Sequence, residues 1–249
     1  MIRTSLGRGR YIPGDDPITG EWDMIYGTLR AWDGSQPNGI VFCHGAGDTA
    51  LTVAADPVQH EHCTLLARRS TVIAADLGLQ TWGNDTGITR IGQAVAHLRA
   101  TYGVVGPVGL VGGSMGNANA MAYALAHPDE VAFIAGIIPL IDIADVMGRG
   151  AAAEVNAAYG GAYNDVTDGP THSPIHFATA LPADLPIRLW SSPTDALTPY
   201  ATAVAFQAAR PQTVLSVLPD TGHSDASFAA ATPEVVGWAR DRFYGMPTA

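Results

Sequence analysis

Short, unbroken apolar runs alternate along this chain with stretches whose apolar positions recur at helical spacing. Five runs, Gly39–His44, Thr71–Ala75, Pro107–Val111, Val131–Ile138 and Pro186–Ser191, carry few or no polar positions. Such runs suit strands of a parallel sheet covered on both faces. A weaker run over Thr213–Leu218 predicts a further strand, and the alternation within Glu21–Asp33, with Trp22, Met24, Tyr26, Thr28 and Arg30 on one face, predicts another. Between them, Ile88, Ile91, Val95 and Leu98 share one face of a helix expected over Ile88–Tyr102. Asp56–Arg69 predicts a helix capped by Asp56 with Pro57 at its first position. Helices are also expected after Ser114, over Pro199–Arg210 behind a Thr-Pro pair, and over Thr232–Tyr244. Strands alternating with helices predict an α/β class and a mostly parallel, doubly wound sheet with right-handed crossovers.

Two segments break the rhythm. Residues 1–20 are rich in Gly, Pro and Arg and are expected to run over the surface. Pro139–Asp184 is rich in Ala, Gly, Asp, Tyr and His, with one helix expected over Ala151–Tyr159. It reads as an insertion over the site, a partial lid within a single domain spanning 1–249.

Composition narrows the function classes. The chain has 249 residues and a formal net charge of −10, which argues against a nucleic-acid partner. No apolar run is long enough for a membrane span. No apolar leader core follows the N-terminal arginines, so a cytoplasmic location is the default expectation. All 13 basic residues are Arg, which suggests a GC-rich bacterial or phage gene. Cys43 and Cys63 read as buried thiols, although one disulfide is compatible with the sequence.

The chemistry centres on Pro107–His127, a strand, a Gly-rich turn and an Ala-rich helix. The turn, Gly112-Gly113-Ser114-Met115-Gly116, has the G-x-S-x-G pattern of a nucleophile elbow, where backbones approach too closely for side chains at the flanking positions. A serine hydroxyl needs a positioned base, and the base an orienting acid. In α/β sheets such groups stand at the C-terminal ends of strands. Asp195 follows the Pro186 strand and His223 follows the Thr213 strand, giving the order Ser114, Asp195, His223. Asp142 competes for the acid, since it follows the preceding strand; Asp145 and Asp184 are further competitors. The remaining histidines fit the base role less well: His60 and His62 face different ways on a helix, and His172 and His176 lie in the insertion around Pro174. No spacing favours a metal site, and no phosphate loop or dinucleotide fingerprint is present, so neither a metal nor another cofactor is expected.

With these residues in place, the chain from Glu21 to Phe243 resembles the α/β-hydrolase superfamily. His44-Gly45-Ala46-Gly47 resembles its oxyanion loop and TDALTPY its acid-bearing loop. The resemblance implies an α/β-hydrolase fold and an acyl-enzyme mechanism with Ser114 as nucleophile, His223 as base and Asp195 as acid. It also implies an oxyanion hole from the backbone N–H groups of Ala46 and Met115, and a structural role for His44. A carboxylesterase acting on small-molecule or lipid-like esters of short to medium chain is the leading expectation. Peptidases, amidases and thioesterases share the machinery, and a catalytically silent binding module shares the fold. Ser173–Pro182 (SPIHFATALP) resembles the corresponding stretch of prolyl-oligopeptidase-type catalytic domains, but the chain has no room for their propeller. Serine at the elbow excludes the branches that need aspartate there. Trp82, Tyr159, Tyr163 and Phe177 are the candidate pocket walls.

Overall fold

The computed structural model describes residues 10–12, 23–26 and 38–244. Eight strands, β1 (Arg10–Ile12), β2 (Asp23–Tyr26), β3 (Gly39–Cys43), β4 (Thr71–Ala75), β5 (Val108–Gly113), β6 (Val131–Ile137), β7 (Ile187–Ser191) and β8 (Val214–Val217), form one sheet. Its order is β1-β2-β4-β3-β5-β6-β7-β8. β1 and β2 pair antiparallel, as do β2 and β4; every other pairing is parallel. The unbroken apolar runs are the central strands, and every residue of β3, β4 and β5 is buried. The strand expected over Glu21–Asp33 is described only at β2, and its remainder lies outside the described residues, as does most of 1–20, within which β1 forms.

Ten α-helices accompany the sheet among the described residues: α1 (Ala50–Ala55), α2 (Pro57–Leu66), α3 (Asp85–Tyr102), α4 (Met115–Ala126), α5 (Ile143–Val146), α6 (Ala152–Ala158), α7 (Gly169–His172), α8 (Pro174–Phe177), α9 (Tyr200–Ala209) and α10 (Asp225–Tyr244). Alternate positions along the strands feed two cores. Val41 and Cys43 pack with residues of α3, α4 and α9, whereas Ile40 and Phe42 pack with residues of α1, α2 and α10. This period-2 division of one strand between two helical layers is what doubly wound sheets require.

Helix ends follow side-chain chemistry. Asp56 Oδ1 accepts from the N–H groups of Val58 and Gln59, as its cap position predicts. α3 begins at Asp85 rather than Ile88 because Asn84 caps it through Gly87 N–H, and Gly103 ends it in a left-handed conformation (φ 66°). α1 was not anticipated: its six residues are too few to show a period, and a Thr49–Thr52 capping box holds them. α10 starts at Asp225, earlier than the expected Thr232, and runs through Pro233. Burial of Phe228, Ala231, Val235 and Trp238 offsets the backbone hydrogen bond that proline forgoes.

The Pro139–Asp184 segment lies between β6 and β7 and carries α5 to α8. Ile143, Val146, Val155 and Tyr163 pack onto Trp82 and Met115, over the C-terminal ends of the central strands. Cys43 and Cys63 are free and buried, in separate cores. No described helix is long and apolar enough to cross a membrane.

Candidate active site

Ser114 stands between β5 and α4 with φ 50° and ψ −120°, a backbone conformation rarely adopted by residues other than glycine. The turn is pinned on both sides. Ser114 N–H donates to Ile137 C=O (3.0 Å), and Ser114 C=O accepts from Asn117 N–H (3.0 Å) and Leu140 N–H (3.1 Å). The glycines are dictated by backbone proximity. A β-carbon on Gly116 would lie 2.0 Å from the carbonyl oxygen of Cys43, and one on Gly112 would lie 2.6 Å from the backbone of Asn117. Ser114 Oγ makes no hydrogen bond to a described residue. The Met115 N–H follows it in the first turn of α4, where no intrahelical acceptor exists.

The loop after β3 faces this turn. Leu77 N–H donates to His44 Nε2 (3.0 Å), so the ring proton sits on Nδ1 and donates to Gly45 C=O (2.8 Å). Burial lowers the His44 pKa, which keeps the ring neutral and this pair of bonds intact. Gly47 N–H to Leu79 C=O (2.7 Å) adds a second anchor.

Asp195, in the loop after β7, is 4% exposed. Its Oδ1 accepts from the N–H groups of Leu197 (2.9 Å) and Thr198 (2.8 Å). Its Oδ2 lies 2.8 Å from His223 Nδ1 and accepts from Thr198 Oγ1 at 2.9 Å. Burial alone would raise the Asp195 pKa, but the bonds from His223 and Thr198 outweigh it and hold the carboxyl below its ordinary value. The loop bearing His223 is stapled to the β7 end by Ser192 Oγ, which accepts from Thr221 and Gly222 N–H and donates to Pro219 C=O. Asp142 points elsewhere: it caps α5 through Asp145 N–H (3.0 Å).

Ser114, His223 and Ala46 line one cavity of about 240 Å³. Trp82, Ile138, Val146 and Leu197 form its apolar wall. Among the described residues, three other than glycine have positive φ: Trp82 (48°), Ser114 (50°) and Ile138 (41°). All three line this cavity. Backbone strain of this kind persists only where surrounding structure over-determines it, and it clusters at functional sites.

The other expected pocket residues are placed differently. Tyr159 Oη donates to Trp82 C=O (3.0 Å), so it braces the strained residue from behind. Tyr163 packs edge-on against Tyr159 (4.9 Å) and donates to Asp165. Phe177 is buried in the core beneath α4. None of these three is among the residues lining the cavity. His172 and His176 are not brought together on a metal; they contact Asp85 and Asp165 respectively. Among the described residues no cluster of His, Cys, Asp and Glu is arranged to hold a metal ion. Thr198 and Ile138 carry no motif. Thr198 was expected only as part of a helix-cap pair, and Ile138 only as the end of an apolar run; their roles at the site depend on where the chain turns.

No family model and no curated protein matches the sequence. Solved structures do match the fold. The chain is similar to an S-formylglutathione hydrolase from Agrobacterium tumefaciens (TM-score 0.71, 12% identity, 96% of this chain and 97% of that one). It is also similar to the fluorophosphonate-binding serine hydrolase F of Staphylococcus aureus (0.73, 16%, 94% and 99%). A puromycin-hydrolysing peptidase of Mycobacterium tuberculosis matches over 95% of this chain (0.67, 15%), which spans 39% of the peptidase. Further matches include a brefeldin A esterase and a ferulic acid esterase. The fold is the α/β-hydrolase fold.

Proposed function

We propose that this protein is a serine hydrolase that cleaves a carboxylic ester through an acyl-enzyme. The observation that carries this reading is the combination at one cavity of a strained Ser114 with an unengaged hydroxyl and a His223 whose Nδ1 is held 2.8 Å from a buried carboxylate. With Nδ1–H donated to Asp195, Nε2 of His223 is left as the base. It takes the Ser114 proton as Oγ attacks the ester carbonyl, and the carbonyl oxygen becomes an oxyanion. The N–H groups of Ala46 and Met115 are the proposed donors to it. Their placement beside the Ser114 turn supports this, and losing one such donor typically costs ~100–1000-fold in rate. Collapse of the tetrahedral intermediate expels the alcohol, protonated by His223. Water, activated by the same imidazole, then releases the acid.

The small cavity supports esters of short to medium chain. The names of structural neighbours, which include esterases, support the reaction class.

Labelling with a fluorophosphonate probe, followed by peptide mapping, tests the reading. Adduct is expected on Ser114, and is expected to be lost in His223→Ala. A folded protein that forms no adduct would refute the proposal.

A further inference from the structure

The cavity lining combines two chemistries. Besides its apolar residues, Asp48 and Asp225 line it together with Gln59. Asp48 closes the oxyanion loop, where a β-carbon built on Gly45 would stand 3.6 Å from Asp48 Oδ2 and 3.7 Å from Ser114 Cβ. The carboxylate and the serine therefore flank the same small space. Asp225 opens α10, two residues after His223. No described Arg lines the cavity, and the chain contains no Lys, so among the described residues neither carboxylate meets an Arg or Lys there. Gln59 supplies an independent observation. It is 7% exposed, and its Oε1 is buried without a hydrogen-bond partner. A buried acceptor left unpaired costs free energy unless a ligand donates to it. Burial, and then the nearby Asp56 and Asp48, raise the Asp225 pKa, as expected where negative charge is crowded and uncompensated.

Resting on the esterase reading above, we propose that the site selects an ester carrying an aliphatic ammonium group. The ammonium seats among Asp48, Asp225 and Gln59, and the uncharged remainder lies against Trp82, Ile138, Val146 and Leu197. The two carboxylates supply the attraction, and Gln59 Oε1 accepts an N–H.

Two pairs of near-isosteric esters test this by pH-stat. Methyl 3-aminopropanoate against methyl butanoate places the charge in the acyl part. 2-(Dimethylamino)ethyl acetate, whose protonated amine keeps one N–H, against 3-methylbutyl acetate places it in the alcohol. In one pair kcat/KM is expected to favour the cationic member by about ten-fold or more, with the preference narrowing as salt is added. Asp225→Asn and Asp48→Asn should each lower that ratio towards one, because the neutral ester does not sense the carboxylate. Turnover of the neutral esters with ratios at or below one in both pairs would overturn the proposal and leave the esterase reading standing. No turnover of any ester, together with no fluorophosphonate adduct, would overturn both.

Discussion

Lowering the pH should destabilise this fold through one buried histidine that takes no part in the proposed chemistry. His62 lies wholly buried between α2 and α10, with its ring 5.7 Å from that of Phe42 and 6.1 Å from that of Phe228. Thr232 Oγ1 donates to Phe228 C=O, so it accepts from His62 Nδ1–H at 2.7 Å. His62 Nε2 is buried without a partner, and a proton added there would put an unpaired charge among aromatic rings. Burial accordingly lowers the His62 pKa from 6.5 to about 4. The unfolded chain takes up this proton below pH ~6.5, and the folded protein only near pH 4. The stability tied to neutral His62 is therefore complete above pH 6.5 and declines as the pH falls through that window. At ~1.4 kcal/mol per pH unit the decline amounts to about 3 kcal/mol by pH 4. Urea denaturation of the wild type and of His62→Leu, at intervals from pH 7.5 to pH 4, measures it. The wild type should lose about 3 kcal/mol more than the variant over this range, which cancels acid effects common to both. Parallel stability–pH curves would refute the reasoning.

Three further outcomes are expected. Ser114→Gly should abolish fluorophosphonate labelling while raising the unfolding free energy by about 1 kcal/mol, because glycine relieves the positive φ; a destabilised variant in thermal melts would contradict the strain argument. Gly116→Ala should lower soluble yield and eliminate turnover, since the new methyl would overlap the Cys43 carbonyl; a variant with native melting temperature and activity would show that the turn can relax. Asp195→Asn should cut kcat by about three orders of magnitude or more, whereas Asp142→Asn should change stability by at most about 1 kcal/mol and leave kcat near wild type; steady-state ester kinetics showing the reverse order would reassign the acid.

Much of the architecture could be read from one dimension, because the signals concerned are local. An unbroken apolar run of five residues has no solvent-compatible face, so β3 and β4 had to be central strands wherever they packed. Asp56-Pro57 starts a helix through bonds reaching only three residues ahead. The G-x-S-x-G turn needs its glycines because adjoining segments of backbone collide there, and the order Ser114, Asp195, His223 follows from which strand each residue trails. α1 was not legible because six residues carry no period. The early start of α10 was missed because Pro233 is a strong local stop signal, and only packing of Phe228 and Ala231 against the sheet overrides it.

Tertiary structure alone decided what surrounds the serine. Trp82, Ile138 and Leu197 lie on three different loops, and no local pattern says that they share a wall. Tyr159, Tyr163 and Phe177 carry the same aromatic signature as Trp82, yet one braces it, one stacks on the brace and one fills the core. Thr198 was marked only as part of a helix cap, but the turn after β7 brings its hydroxyl to both Asp195 and the Ile138 carbonyl. Asp48, Gln59 and Asp225 belong to a loop, a helix interior and a helix start, each polar for reasons any surface would satisfy. Their convergence on one cavity is a long-range fact, set when α2 and α10 pack on the same face of the sheet, and a short stretch of sequence carries no record of it.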